Sequence, residues 1–428
     1  MIPAASAASM KVHGTSQISG GMPRQRVCQH GSSKVISVDT VNPSSPFRRR
    51  SVVGMIGFSA LAKWPSRARG SCPLREVEMP LHWAAGGFSL WFTLSSSEKG
   101  RTGKKRIKAV ADTGSPFLLV AKCLRKDCES YCAEVGCFEG QGAPSGEADS
   151  TEGYASGIVE VAWRKSDTVT FPDATDSSVE LREMRFGVQG RIIGFGGTGK
   201  AVFLGLIRDH MSDIKTSFLE QTPFQYLVVD LREPGRETLR LSEASALTAR
   251  GPRIKLADPR RWGDPVKHYC AGVKTLRVGG EVVLSSNGSS PRKVLAIFDT
   301  GTTGVSMTPG LYESYWLLAQ SVAQSGLGWS QARQLQVFFE STSGSDASFA
   351  MYMGKHPSYG IGLDLVTPIR EMAWAGVGSA ASLANYKVPG GIQEKPPFED
   401  VMLLGLGFLV GKCIAIDTKM DELIVIES

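Results

Sequence analysis

Two stretches of this chain end an apolar run on the same three residues. IKAVADTGS carries Asp112-Thr113-Gly114-Ser115, and VLAIFDTGTT carries Asp299-Thr300-Gly301-Thr302-Thr303. A strand that delivers an Asp into a turn, with a Gly that permits a tight backbone and a hydroxyl residue after it, presents a carboxylate and a hydrogen bond to hold it. One Asp-Thr-Gly alone is an ordinary turn. Two copies 187 residues apart, both after apolar runs and both followed by a hydroxyl, point to a pair of carboxylates acting together. Like charges held close cannot both ionise, so such a pair shares a proton. The ionised member takes a proton from water and the protonated member polarises a carbonyl, which is the equipment for general acid–base hydrolysis.

Other chemistries have weaker claims. GFGGTGKA, residues 194–201, matches a phosphate-cradling loop as far as Lys200 and contains G-x-G-x-x-G. Ala201 stands where such a loop needs Ser or Thr to hold magnesium, and no strand–helix alternation surrounds it. The six histidines are scattered, with no H-E-x-x-H and no G-x-S-x-G, so zinc-protease and serine-hydrolase chemistry find no support. Cys123, Cys128, Cys132 and Cys137 lie close together without any C-x2-C pair, which favours a local disulfide pair over a zinc ribbon in an exported chain. No metal or other cofactor is expected.

The elements that must position the two aspartates read as strands. GGFSLWFTLSS, FLLVA, GIVEVAW, DTVTF, FQYLVVDL, ETLRLS, KTLRVGGEVVL, LLGLGFLVG, CIAIDT and ELIVI are alternating or fully apolar runs of strand length, broken by turns. Helices are expected only at Lys200–Met211 and Pro309–Ser325. Many strands and few helices predict an all-β protein.

Taken together, the two motifs resemble the catalytic pair of pepsin-like aspartic proteases, and the chain is similar to the plant-type, nepenthesin-like branch of that family over roughly residues 76–428. The resemblance implies a bilobal, pepsin-like acid protease fold with the active-site cleft between an N-terminal lobe, 76–222, and a C-terminal lobe, 223–428. In that family an apolar-apolar-Gly element packs behind each Asp, and Ile192-Ile193-Gly194 and Leu403-Leu404-Gly405 match it. Asp112 and Asp299 would form the dyad. Ser115 and Thr302 would hydrogen-bond the carboxylates, Thr113 and Thr300 would brace the two loops across each other, and Gly114 and Gly301 would donate backbone N–H groups. EGYASG resembles the flap hairpin, with Tyr154 as the tyrosine that closes over substrate and Gly157 as the later flap glycine. The implied activity is that of a monomeric aspartic endopeptidase acting on polypeptides without a cofactor. Two departures stand out: Leu119 occupies the place of a Trp that commonly holds the flap tyrosine, and Pro116 follows the motif's Ser. The competing reading is a non-catalytic protein of the same fold that binds polypeptides or inhibits a partner.

Charge separates a leader from the body. The 428-residue chain carries a net +7, yet residues 1–70 hold ten basic side chains and one acid, leaving residues 71–428 at −2. Such a body has no basic stripe for nucleic acid. Residues 1–47 are Ser- and Gly-rich and acid-poor, as transit peptides are, and FRRRSVVGMIGFSALAKW adds a basic stretch and an apolar run ending Ala60-Leu61-Ala62. The twelve apolar residues span about 18 Å as a helix, short of a ~30 Å bilayer core, so no stable membrane anchor is expected. The order resembles two-part leaders that carry proteins through a chloroplast into the thylakoid lumen, giving a targeting leader at 1–62 and a linker or short pro-segment at 63–75. A secretory or vacuolar route, or a plain tail beside a chance apolar run, are the alternatives. Asn287-Gly288-Ser289 is a lone glycosylation sequon that matters only on the secretory route.

Overall fold

Val294–Phe298 is buried at all five positions, as a fully apolar strand inside a sheet must be. Gly87–Glu98 instead buries Phe88, Leu90, Phe92 and Leu94 and leaves Trp91 and Thr93 half-exposed, the alternation of a strand with one face on the core. The structure, a computed structural model, describes residues 75–84, 86–98, 101–122, 129–138, 142–154, 157–175, 179–193, 202–212, 214–243, 250–285, 293–344, 346–369 and 397–426. The leader and its linker to residue 74, the 194–201 glycine run, Cys28, Cys72, Cys123, Cys128 and the sequon lie outside them. All described residues belong to one unit of the chain, Arg69–Ser428.

The unit is mostly β-sheet. Among the described residues, helix is confined to Glu129–Val135, Pro309–Gln324, Trp329–Ala332, Leu406–Leu409 and two 3-10 turns, Leu219–Gln221 and Pro259–Trp262. The expected helix after Thr308 is present. Pro309 at its first turn has the φ a helix needs, and Leu311, Tyr315, Ala319 and Val322 bury one face at helical spacing.

Sheet pairing holds a repeat that the amino-acid sequence scarcely shows. In an eleven-stranded sheet, Gly87–Glu98 pairs antiparallel with Arg101–Asp112, which ends on the first Asp. Phe203–Gly205 comes next, parallel to Arg101–Asp112 and antiparallel to Leu118–Ala121, and Arg185–Ile193 then runs parallel to Leu118–Ala121. The five-stranded sheet repeats each step: Cys270–Gly272 antiparallel to Val294–Phe298, Asp400–Leu404 parallel to it, Val305–Met307 antiparallel, Val366–Pro368 parallel. Each Asp loop thus joins two strands that are held apart by a third from far along the chain. The remaining sheets have six strands, in which Glu76–Pro80 pairs with Thr238–Ser242, and four strands, built from Thr275–Val278, Glu281–Ser285, Leu335–Phe339 and Ala347–Ala350.

Two expectations are corrected here. The helix predicted at Lys200–Met211 is absent over its described part: Phe203–Gly205 is a strand and 206–209 are irregular. Leu204, flanked by strands on both sides and fully buried, finds its backbone partners in a sheet, and tertiary pairing overrides local helix preference. The element behind the first Asp is therefore Phe203-Leu204-Gly205, whereas Ile192 and Ile193 pair with Val159 and Ile158 in the outer part of the sheet.

Candidate active site

The two motif loops face each other, and their threonines lock them. Thr113 N donates to Thr300 Oγ1 at 3.0 Å and Thr300 N to Thr113 Oγ1 at 2.9 Å. Each hydroxyl in turn donates across to the other strand, Thr113 to Phe298 C=O at 2.9 Å and Thr300 to Ala111 C=O at 2.6 Å. Both threonines are essentially sealed from solvent, and a buried backbone group left without a partner costs about 1–3 kcal/mol. Thr300→Val removes two of these four bonds in one step, so a loss of roughly 2–5 kcal/mol is expected in urea denaturation at unchanged m-value.

The brace brings the carboxylates onto the opposing glycines. A methyl on Gly301 would stand 2.4 Å from Asp112 Oδ1, and one on Gly114 would stand 2.6 Å from Asp299 Oδ1. Only glycine leaves room for them there, and the two contacts are mirror images of one another. Each glycine also donates its N–H to the Asp of its own motif, Gly114 to Asp112 Oδ1 and Gly301 to Asp299 Oδ1, both at 2.8 Å. Thr302 Oγ1 donates to Asp299 Oδ2 at 2.7 Å. Asp112 is buried, 6% exposed, while Asp299 is half-buried. Burial and then the facing Asp299 carboxylate push the Asp112 carboxyl well above the ordinary 3.8, against the pull of the Gly114 N–H.

Ser115 departs from its expected role. Its hydroxyl is buried and has no hydrogen-bond partner among the described residues. The backbone explains this: Ser115, Pro116 and Phe117 give all three carbonyls to Ile207, Phe218 and Gly205 N–H groups, which fixes the segment after Gly114 without regard to the hydroxyl. Thr302 thus holds Asp299, whereas Ser115 makes no corresponding bond to Asp112 among the described residues.

Ser150–Tyr154 and Gly157–Lys165 form an antiparallel hairpin closed by the Tyr154–Gly157 pair, so those two residues sit at its tip. The Tyr154 side chain lies outside the described atoms. Sequence reasoning missed Trp163. Its ring packs edge-on against Phe117 at 5.0 Å, in a cluster with Leu119, Val159 and Val161. Its Nε1 donates to Ser150 Oγ at 2.7 Å, and Ser150 donates to Glu152 Oε1 at 2.6 Å. The hairpin is thereby tied to the segment that follows Asp112, with an indole from the hairpin itself in one apolar cluster with Leu119. Across the site, Thr303 Oγ1 donates to Gly86 C=O at 2.5 Å.

Cys132 and Cys137 are disulfide-bonded, whereas Cys270 and Cys413 are buried free thiols. Among the described residues no group of three or more His, Cys, Asp or Glu is placed to hold a metal ion, and no helix is long and apolar enough to cross a membrane. What remains is a pair of carboxylates, one buried and one half-buried, joined by a buried threonine brace. Compared with known proteins, the chain matches no family model and no curated protein sequence.

Proposed function

We propose that this protein is an aspartic endopeptidase that hydrolyses polypeptides through a water molecule activated between Asp112 and Asp299. The observation that carries it is the reciprocal threonine brace, which sets two Asp-Thr-Gly loops of like pairing topology face to face with each carboxylate on the opposite glycine. Ordinary surface aspartates have no use for such a construction.

In this mechanism Asp112 holds the shared proton, because it is the more deeply buried carboxyl, and Asp299, which accepts from the Gly301 N–H and the Thr302 hydroxyl, acts as the base. Asp299 takes a proton from the water as the water oxygen bonds to the scissile carbonyl carbon, while Asp112 gives its proton to the carbonyl oxygen. The tetrahedral diol then collapses: the C–N bond breaks, the amine nitrogen takes the proton from Asp299, and a diol hydroxyl returns one to Asp112. Atoms and protons balance without a cofactor. The fold reading that accompanies it is the bilobal pepsin-like one, with residues 76–222 and 223–428 as lobes and the 150–165 hairpin as a flap over the cleft. An acidic compartment suits a dyad that must keep one proton, whether reached by the thylakoid or the secretory route.

Turnover of an unfolded protein between about pH 3 and pH 7, with a statine-type mimic of the tetrahedral diol as inhibitor, tests this directly. Acid-favoured cleavage blocked by the mimic is the expected result. Absence of cleavage with tight binding of the mimic would instead assign the site to polypeptide binding, and absence of both would end the proposal.

A further inference from the structure

Beneath the two aspartates runs a closed circuit of hydrogen bonds. Asp112 C=O accepts from Leu206 N–H at 2.8 Å, and Leu206 C=O accepts from the Tyr269 hydroxyl at 2.5 Å. Tyr269 C=O accepts from Phe298 N–H at 2.9 Å, and Phe298 C=O accepts from the Thr113 hydroxyl at 2.9 Å. Thr113 is covalently next to Asp112, so the circuit closes. Asp112, Thr113, Leu206, Tyr269 and Phe298 are all at most 6% exposed. The only side chains in it are Thr113 and Tyr269, and only Tyr269 comes from outside the motifs and the strands beside them.

Resting on the dyad proposed above, we infer that Tyr269 is a positioning residue for Asp112, holding the height of the first motif loop relative to the second through Leu206. Tyr269 is anchored from the second motif's side, because Phe298, to which its carbonyl is tied, immediately precedes Asp299. Its hydroxyl reaches the chain just after Gly205, where Phe203–Gly205 passes beneath the Asp112 loop. Movement of Leu206 therefore moves the Asp112 backbone, and with it the gap between the carboxylates. The threonine brace ties the tips of the loops, whereas Tyr269 ties their bases. Burial keeps the phenol protonated, so it remains a donor throughout the acid and neutral range. A misplacement of this kind alters the spacing of the reacting carboxylates and so weakens catalysis more than substrate binding.

Tyr269→Phe keeps the ring and removes only the hydroxyl. Native-state hydrogen exchange should show the Leu206 and Thr113 amides exchanging about 10-fold faster or more, with Leu227 and Ile416 in the six-stranded sheet unchanged. In the same protein kcat should fall about 10-fold with KM altered less than about twofold. Unchanged exchange, or an equal rise at every amide, overturns the positioning role, because the hydroxyl would then support nothing or only global stability. Faster local exchange with kcat intact overturns its catalytic consequence. If the wild-type chain cleaves nothing, the dyad proposal fails on that result, while the exchange arm still decides whether Tyr269 holds the loop.

Discussion

If the proposed dyad mechanism holds, Asp112→Asn and Asp299→Asn should each lower turnover by on the order of 10²–10⁴-fold with KM little changed, because each removes one member of the acid–base pair and keeps the side chain's shape. Asp112→Asn should also change stability in a pH-dependent way. Asp112 has a folded-state pKa raised above its unfolded value, so the native chain keeps a proton that the unfolded chain has already released. Its contribution is fully present below the ordinary carboxylate value of 3.8 and is lost as pH rises through the raised folded value. Asn carries no charge, so Asp112→Asn should raise the midpoint of thermal unfolding near pH 6 and leave it nearly unchanged near pH 3. Thermal scans across that range check the sign. A variant that loses turnover and also loses stability near pH 6 would mean that the carboxylate is supported as an ion, contrary to its burial.

The second large effect concerns stability alone and stands whatever the protein does. A methyl group on Gly405 would lie 2.2 Å from both Gly304 C=O and Thr302 C=O, and one on Gly205 would lie 2.4 Å from Phe117 N. These are backbone atoms, which cannot swing aside as a side-chain tip does. Each glycine is where the inserted strand passes under its Asp loop and donates to the carbonyl five residues beyond the Asp, at Phe117 and Gly304. Gly405→Ala and Gly205→Ala should each destabilise by at least about 3 kcal/mol, the upper end for overpacking, or fail to fold. Gly235→Ala is the control, since nothing lies within 4 Å of a methyl there and only its positive φ opposes the change, for about 1 kcal/mol. Urea midpoints for the three variants decide the matter. A Gly405→Ala protein as stable as Gly235→Ala would mean that the strand does not pass beneath the loop.

Those glycines also show where sequence reading stops. Phe203-Leu204-Gly205-Leu206 and Leu403-Leu404-Gly405-Leu406 are near copies, and that likeness was available as a signal. Yet Ile192-Ile193-Gly194 fits the same apolar-apolar-Gly pattern. Local composition cannot say which of two such runs inserts between strands many residues away. The choice rests on pairing: Phe203–Gly205 lies between Arg101–Asp112 and Leu118–Ala121, while Arg185–Ile193 lies one strand further out. The predicted helix at Lys200–Met211 failed for the same reason. Cysteine spacing likewise favoured a local disulfide, and it took the fold to join Cys132 to Cys137.

The motif residues lie at the other extreme. Asp112, Thr113, Gly114, Asp299, Thr300, Gly301 and Thr302 were legible because their geometry is local. An apolar strand, an Asp-Thr-Gly turn and a following hydroxyl residue are all encoded within five residues, although the space that demands glycine at 114 and 301 is set by the carboxylate of the facing loop. The all-β character was legible for a similar reason, since alternation and fully apolar runs need no knowledge of what they pack against. Tertiary structure alone decided what lies between distant segments: which strand runs under each Asp, why Ser115 has no partner among the described residues while Thr302 holds Asp299, how Trp163 packs on Phe117, and how Tyr269 ties the two loops from below. Local periodicity records which faces are apolar, but the register and partners of strands brought together from across the chain are set by the packing of the whole.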